Sequence, residues 1–241
     1  MLAAAALVAV LLEKPVRVVA RPIGRAANVY ECELTVSAGG RSVRIETMPV
    51  VPTLPRAVEA IRERVHWKDG YLFVGTDCGG GNAWCCYAER VFAIRDGELI
   101  DFGHVCSRDV HAAGSSFDGH RFIDMYDVLE GNALTSHAEA PEFPVVRVRS
   151  GGTLVTDRDA TWEMNQRTFE SVARSLAKAR RGQYGLKQHI LLDAALAKYC
   201  GRTTELRETM SLARRLLTQE ERSRLGEALE EVKEAGPPHR E

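Results

Sequence analysis

A chain of 241 residues can bury a sizeable core, and its 45% apolar and 27% charged residues are ordinary for a globular protein. A formal net charge of −1 excludes a general nucleic-acid binder, which carries a basic excess. The longest apolar run, Leu2–Leu12, is too short for a spanning helix, so no integral membrane segment is expected.

That first run, LAAAALVAVLL, has the length of the apolar region of a secretory signal peptide. Val18-Val19-Ala20 resembles a small-residue cleavage site. The expectation is a signal peptide over residues 1–20, a mature chain from Arg21, and a periplasmic or extracellular location. Glu13, Lys14 and Arg17 interrupt the approach to that site. The alternative is a first core helix or strand. The six cysteines fit export, because an even count in an exported chain suggests disulfides, with connectivity open. No C-x-x-C pair occurs, so the usual metal signature is missing. Cys200, isolated in helical sequence, reads as a buried thiol.

From about residue 16 to 157 the hydrophobic period is mostly two. Asn28–Val36 puts Tyr30, Cys32, Leu34 and Val36 on one face and Glu31, Glu33 and Thr35 on the other. Ser37-Ala38-Gly39-Gly40 is a turn, and Ser42–Thr47 returns as a second strand. Pro55 suits the start of a helix over Arg56–His66, with Ala57, Ile61 and Val65 along one side. Strands are predicted at Tyr71–Gly75, Trp84–Arg95 and Glu98–Val105, and a hairpin joins Val145–Arg149 to Thr153–Thr156 through Ser150-Gly151-Gly152. Beyond residue 158 the period becomes 3.6. Trp162, Phe169, Val172 and Leu176 mark one helix, Ile190, Ala194 and Tyr199 a second, and Leu206, Met210, Ala213 and Leu217 a third. Thr218-Gln219-Glu220-Glu221 is a capping-box pattern opening a fourth, with Leu225, Leu229 and Val232 on its stripe. Arg180-Arg181-Gly182-Gln183 breaks the first helix from the rest, and the tail from Gly236 reads as frayed.

The central hairpin supplies the main candidate site. Asp96-Gly97 is a type I′ turn signal. With that turn Arg95 faces Glu98, Ala93 meets Ile100 and Val91 meets Phe102. Glu89 then meets His104 and Tyr87 meets Cys106, with Cys85 on the diagonal from Cys106. Both faces are largely apolar, which predicts cover on both sides, by a second sheet and by the C-terminal helices. The cluster Cys85, Glu89, His104 and Cys106 has three readings. The first is a disulfide beside a Glu–His pair. The second is a metal held by Cys, His and carboxylate. The third is a Cys85 nucleophile with His104 as base and Glu89 as orienter.

Two further segments carry weaker signals. Thr76-Asp77-Cys78-Gly79-Gly80-Gly81-Asn82 has the glycines of a close-approach loop. It lacks the lysine and following helix of a phosphate loop, so a wide turn is expected. Asp118, Asp124, Asp127 and Glu130, with Asn132, form an acidic group: Asp118-Gly119-His120 begins like a calcium loop, but Arg121, Phe122 and Ile123 do not continue it, so a solvated turn followed by a strand edge is expected. His111, His120 and His137 are dispersed in loop-like sequence.

The sequence therefore predicts an α+β protein. A mostly antiparallel, cysteine-containing β-rich domain at 21–157 has one inserted helix and is followed by a helical region at 158–241. No cofactor and no metal are assigned. The leading expectation is an exported, non-enzymatic binding or interaction protein with a protein or small-molecule partner. The alternative is a hydrolase using Cys85, Glu89 and His104, or a metal at that place.

Overall fold

The computed structural model of the chain describes residues 9–13, 16–26, 29–47, 53–77, 87–106, 117, 121–128, 134–135 and 140–233. The glycine loop from Cys78, Cys85 and Cys86, the acids Asp118 and Glu130, Asn132, His111, His120 and His137, and the tail from Gly236 lie outside these residues. The architecture is α+β, with three antiparallel sheets and five helices among the described residues. The strands are β1 (Ala9–Glu13), β2 (Val16–Ala26), β3 (Val29–Ala38), β4 (Arg41–Thr47), β5 (Val65–Lys68), β6 (Tyr71–Asp77), β7 (Tyr87–Arg95), β8 (Glu98–Cys106), β9 (Phe122–Asp127), β10 (Glu142–Ser150) and β11 (Thr153–Thr156). The helices are α1 (Leu54–Arg62), α2 (Arg158–Lys178), α3 (Leu186–Tyr199), α4 (Thr203–Leu216) and α5 (Gln219–Glu231). The chain divides into two compact units, residues 1–123 with 151–154, and residues 124–150 with 155–241.

The first unit stacks two four-stranded meanders, β1-β2-β3-β4 and β5-β6-β7-β8. Period-two alternation sends one face of each strand inward. Val16, Val18 and Ala20 of β2, Tyr30, Cys32, Leu34 and Val36 of β3, and Ile45 of β4 are all buried. They meet Leu72, Val74, Phe92 and Leu99 of the second sheet and Ala57 and Ile61 of α1 in one core. Burying each such Val, Leu, Ile or Phe contributes about 1.5–3 kcal/mol. The opposite face of the second sheet packs Phe73, Val91, Ala93, Phe102 and Val105 against Phe117 and Phe122, with Leu154 beside them. The hairpin β7–β8 is thus covered on both faces, as its composition predicts. The second cover comes from these aromatics, and no helical residue belongs to that cluster.

Local chemistry explains where this unit departs from expectation. Helix α1 stops at Arg62 and the chain re-extends, so Val65 and His66 belong to β5. Asp69-Gly70 closes β5 onto β6 with φ values of 50° and 82°, the same device as Asp96-Gly97 at 52° and 80°. At the β3–β4 turn Gly39 has φ +56°, and a Cβ there would lie 2.0 Å from the Gly97 carbonyl oxygen. Only glycine lets these two turns abut.

In the second unit α2 to α5 pack with the sheet β11-β10-β9, although the unit boundary runs through β9 and β11. The segment 124–150, which periodicity groups with the strands, joins the helices because Phe143 and Val145 enter their core. Asp157 caps α2 by accepting from the Ala160 N–H at 2.9 Å. The predicted capping box of α5 forms, with Thr218 accepting from the Glu221 N–H at 3.2 Å and Glu221 accepting from the Thr218 N–H at 2.8 Å. Helix α3 is apolar nearly all round, and Ile190, Leu191, Ala194, Ala195, Leu196 and Ala197 are buried, so it is the central helix of this unit.

Candidate functional site

The predicted register of the central hairpin holds for four pairs and then slips. Arg95 faces Glu98, Ile94 faces Leu99, Ala93 faces Ile100 and Phe92 faces Asp101. Between Val91 and Phe92 the register shifts by one residue, so Arg90 faces His104 and Glu89 faces Val105. The physical reason is a bulge at Phe102–Gly103. Gly103 takes φ +86°, and its N–H donates to Asp101 Oδ1 at 2.9 Å. Arg90 locks the bulge by donating to both Asp101 oxygens, from Nε at 3.1 and 3.2 Å and from Nη2 at 2.5 Å. Burial raises the Asp101 pKa, but the hydrogen bonds from Arg90 and Gly103 and the charges of Arg90 and His104 outweigh it, leaving the carboxyl below its usual range.

The consequence for the candidate cluster is direct. Glu89 points inward beside Val105 and is 2% exposed, whereas His104 lies on the other face and is exposed. The structure does not bring Glu89 and His104 together. Cys85 lies outside the described residues, as does the side chain of Cys106. Of the six cysteines, Cys32 and Cys200 are free buried thiols, which leaves at most four for disulfides and bears out the reading of Cys200. Burial raises the pKa of both, that of Cys200 to about 12, so neither is a ready nucleophile. Among the described residues no three of His, Cys, Asp and Glu come together in a metal-binding group.

Asp124 sits on β9, at the edge of its sheet, and is 8% exposed. Arg147 on β10 donates to Asp124 Oδ2 from Nε at 3.0 Å and pairs with it through Nη2 at 2.9 Å. The same guanidinium donates to Thr156 Oγ1 at 2.9 Å, and Thr156 shares a 2.9 Å hydrogen bond with the Tyr199 hydroxyl. Burial raises the Tyr199 pKa, and the Thr156 hydrogen bond offsets part of that. The chain Asp124–Arg147–Thr156–Tyr199 ties β9, β10 and β11 to α3, and its members satisfy one another.

The second unit also carries an open recess of about 360 Å³, lined by Leu134, Thr135, Gln183, Tyr184, Lys187 and Gln188, among others. Gly182 and Gly185, at φ 81° and 73°, turn the chain between α2 and α3 and project Tyr184 outward. Tyr184 is 90% exposed, an unusual position for so large a ring. The carboxamides of Gln183 and Gln188, the Thr135 hydroxyl and Lys187, which pairs with Glu221 at 2.9 Å, supply the polar lining. The sequence marks this stretch only as a helix break. An aromatic between two glycines, off any helical stripe, is the signal that could have singled it out.

One buried group stands apart. Asp193, inside α3, is 1% exposed, and neither carboxylate oxygen has a hydrogen-bond partner. Burial alone pushes its pKa up to about 8. No helix among the described residues is long and apolar enough to cross a membrane. No protein-family model, curated protein or solved structure matches the chain.

Proposed function

We propose that the chain is a non-enzymatic binding protein that acts in the periplasm or outside the cell and engages its partner, a protein or a small molecule, at the recess beside Tyr184. The observation that supports binding is the presentation of Tyr184. A nearly fully exposed tyrosine at the rim of a recess, flanked by amide and hydroxyl groups, offers apolar area and a hydroxyl at low entropic cost. Replacing Tyr184 by Ser should leave the melting temperature unchanged and abolish co-purification of the partner from the native host. Retention of the partner by the variant would refute the reading.

Export rests on the Leu2–Leu12 run and the small-residue site at Ala20. A specific observation favours a second reading of this segment. Ala9–Glu13 pairs in antiparallel register with Val16–Ala20, and Val16, Val18 and Ala20 are buried against the core of the first unit. In that reading Ala9–Glu13 is an edge strand and stays on the working protein. N-terminal sequencing of protein from the native host separates the two: a start near Arg21 supports export with cleavage, and an intact Met1 on the bulk of the protein contradicts it.

A further inference from the structure

In the second unit two arginines converge on the turn between α3 and α4. Arg158 is the first residue of α2, and Arg202 is the residue that precedes α4. They are far apart in sequence but adjacent in space: Arg158 Nη1 reaches to 3.3 Å from where a Cβ on Gly201 would stand. In both side chains Nε is buried and has no hydrogen-bond partner. A desolvated donor on a charged group is costly to leave unmet.

The surroundings hold the pair in place without satisfying it. Arg202 lies over the Trp162 ring at 5.4 Å, and Trp162 is itself 8% exposed, one turn along α2 from Arg158. Asp159 takes only the outer edge of Arg202, through Nη2 at 2.7 Å, and its side chain is 84% exposed. Asp157 is occupied in capping α2, at the Ala160 N–H. Neither carboxylate meets the two orphaned Nε–H groups. A guanidinium presents Nε–H and Nη–H as a planar fork that fits two oxygens of one acid, and paired forks are the usual cradle for an oxyanion.

We propose that Arg158 and Arg202 form a binding site for an oxyanion, a phosphoryl or carboxylate group, which supplies the acceptors that the two Nε–H groups lack. The site shares no residue with the recess at Tyr184, so it stands whether or not that reading does.

The test titrates the full chain with inorganic phosphate, and in a second arm with succinate, against sodium chloride at equal ionic strength. Intrinsic fluorescence reports on Trp162, and a Trp162→Phe control isolates its signal from the other tryptophans. The wild type should show a saturable response to at least one anion, and Arg158→Gln should weaken it at least about tenfold. Arg158→Lys, which keeps the charge and loses the fork, should fall between them and carries the comparison if Arg158→Gln does not fold. A response to phosphate alone assigns a phosphoryl group, and one to succinate alone assigns a carboxylate. No anion-specific response in the wild type, or the same response in the Arg158 variants, overturns the proposal.

Discussion

Asp193→Asn should make the protein more stable at neutral pH and leave it almost unchanged near pH 4. Asp193 holds its proton up to about pH 8 in the folded chain, whereas an unfolded chain releases it at about 3.9. The folded pKa is raised, so the folded state binds the proton that the unfolded state gives up. Stability is therefore greatest below the unfolded pKa, falls as pH rises, and levels off above the folded pKa. The loss is about 1.4 kcal/mol per pH unit, or about 4 kcal/mol by pH 7 and about 5 kcal/mol by pH 8. Asparagine has nearly the same shape and no proton to lose, so the variant escapes that cost while keeping the same unmet polar atoms. The measurement is urea unfolding by circular dichroism from pH 4 to pH 9, with the variant-minus-wild-type difference plotted against pH so that other titrating groups cancel. That difference should rise steadily from near zero to several kcal/mol and then flatten. A difference flat across the whole range would refute the argument that burial alone sets this carboxyl.

Four other outcomes follow from the same structure. Thr218→Ala should cost about 1 kcal/mol by removing the α5 cap. The bond from Lys187 first, and those from Thr218, hold the Glu221 pKa down to about 2, so the contribution of Glu221 is present above the usual glutamate range and should fade as pH drops toward 2 in an unfolding series. Gly39→Ala should cost about 2–3 kcal/mol in thermal unfolding, because its Cβ would strike the Gly97 carbonyl at positive φ, whereas Gly40→Ala, with open space around it, should cost about 1 kcal/mol. Trypsin should cut first at Arg180 or Arg181, in the exposed break between α2 and α3, and earlier cutting within β7 or β8 would count against the packing described.

The elements were legible wherever one physical signal dominated. The buried face of β3, the Asp96-Gly97 turn, the β10–β11 hairpin and the Thr218 capping box are all local patterns, and each appears where the sequence puts it. The hairpin register failed beyond Phe92 for an equally local reason that is hard to weigh in advance. Gly103 permits a positive φ, but only the pairing of Asp101 with Arg90 makes the bulge worthwhile, and that is a cross-strand contact. One inserted residue was enough to turn His104 to the far face from Glu89. Strand β5 was missed because Val65 continues the apolar stripe of α1, while the decisive Asp69-Gly70 turn lies just beyond it. The convergence of Arg158 with Arg202, and of Asp124 with Arg147 and Tyr199, depends on tertiary packing between distant segments, which no spacing rule encodes.

The central claim is that Tyr184 marks the surface where a partner docks. A photo-activatable phenylalanine analogue placed at position 184, in protein expressed in the native host, tests it most directly, with the same analogue at exposed Glu230 on α5 as control. Mass spectrometry after irradiation should find one discrete adduct at position 184, recovered from the periplasmic or extracellular fraction, and none at position 230. No adduct at 184, or the same diffuse labelling at both positions, would contradict the claim.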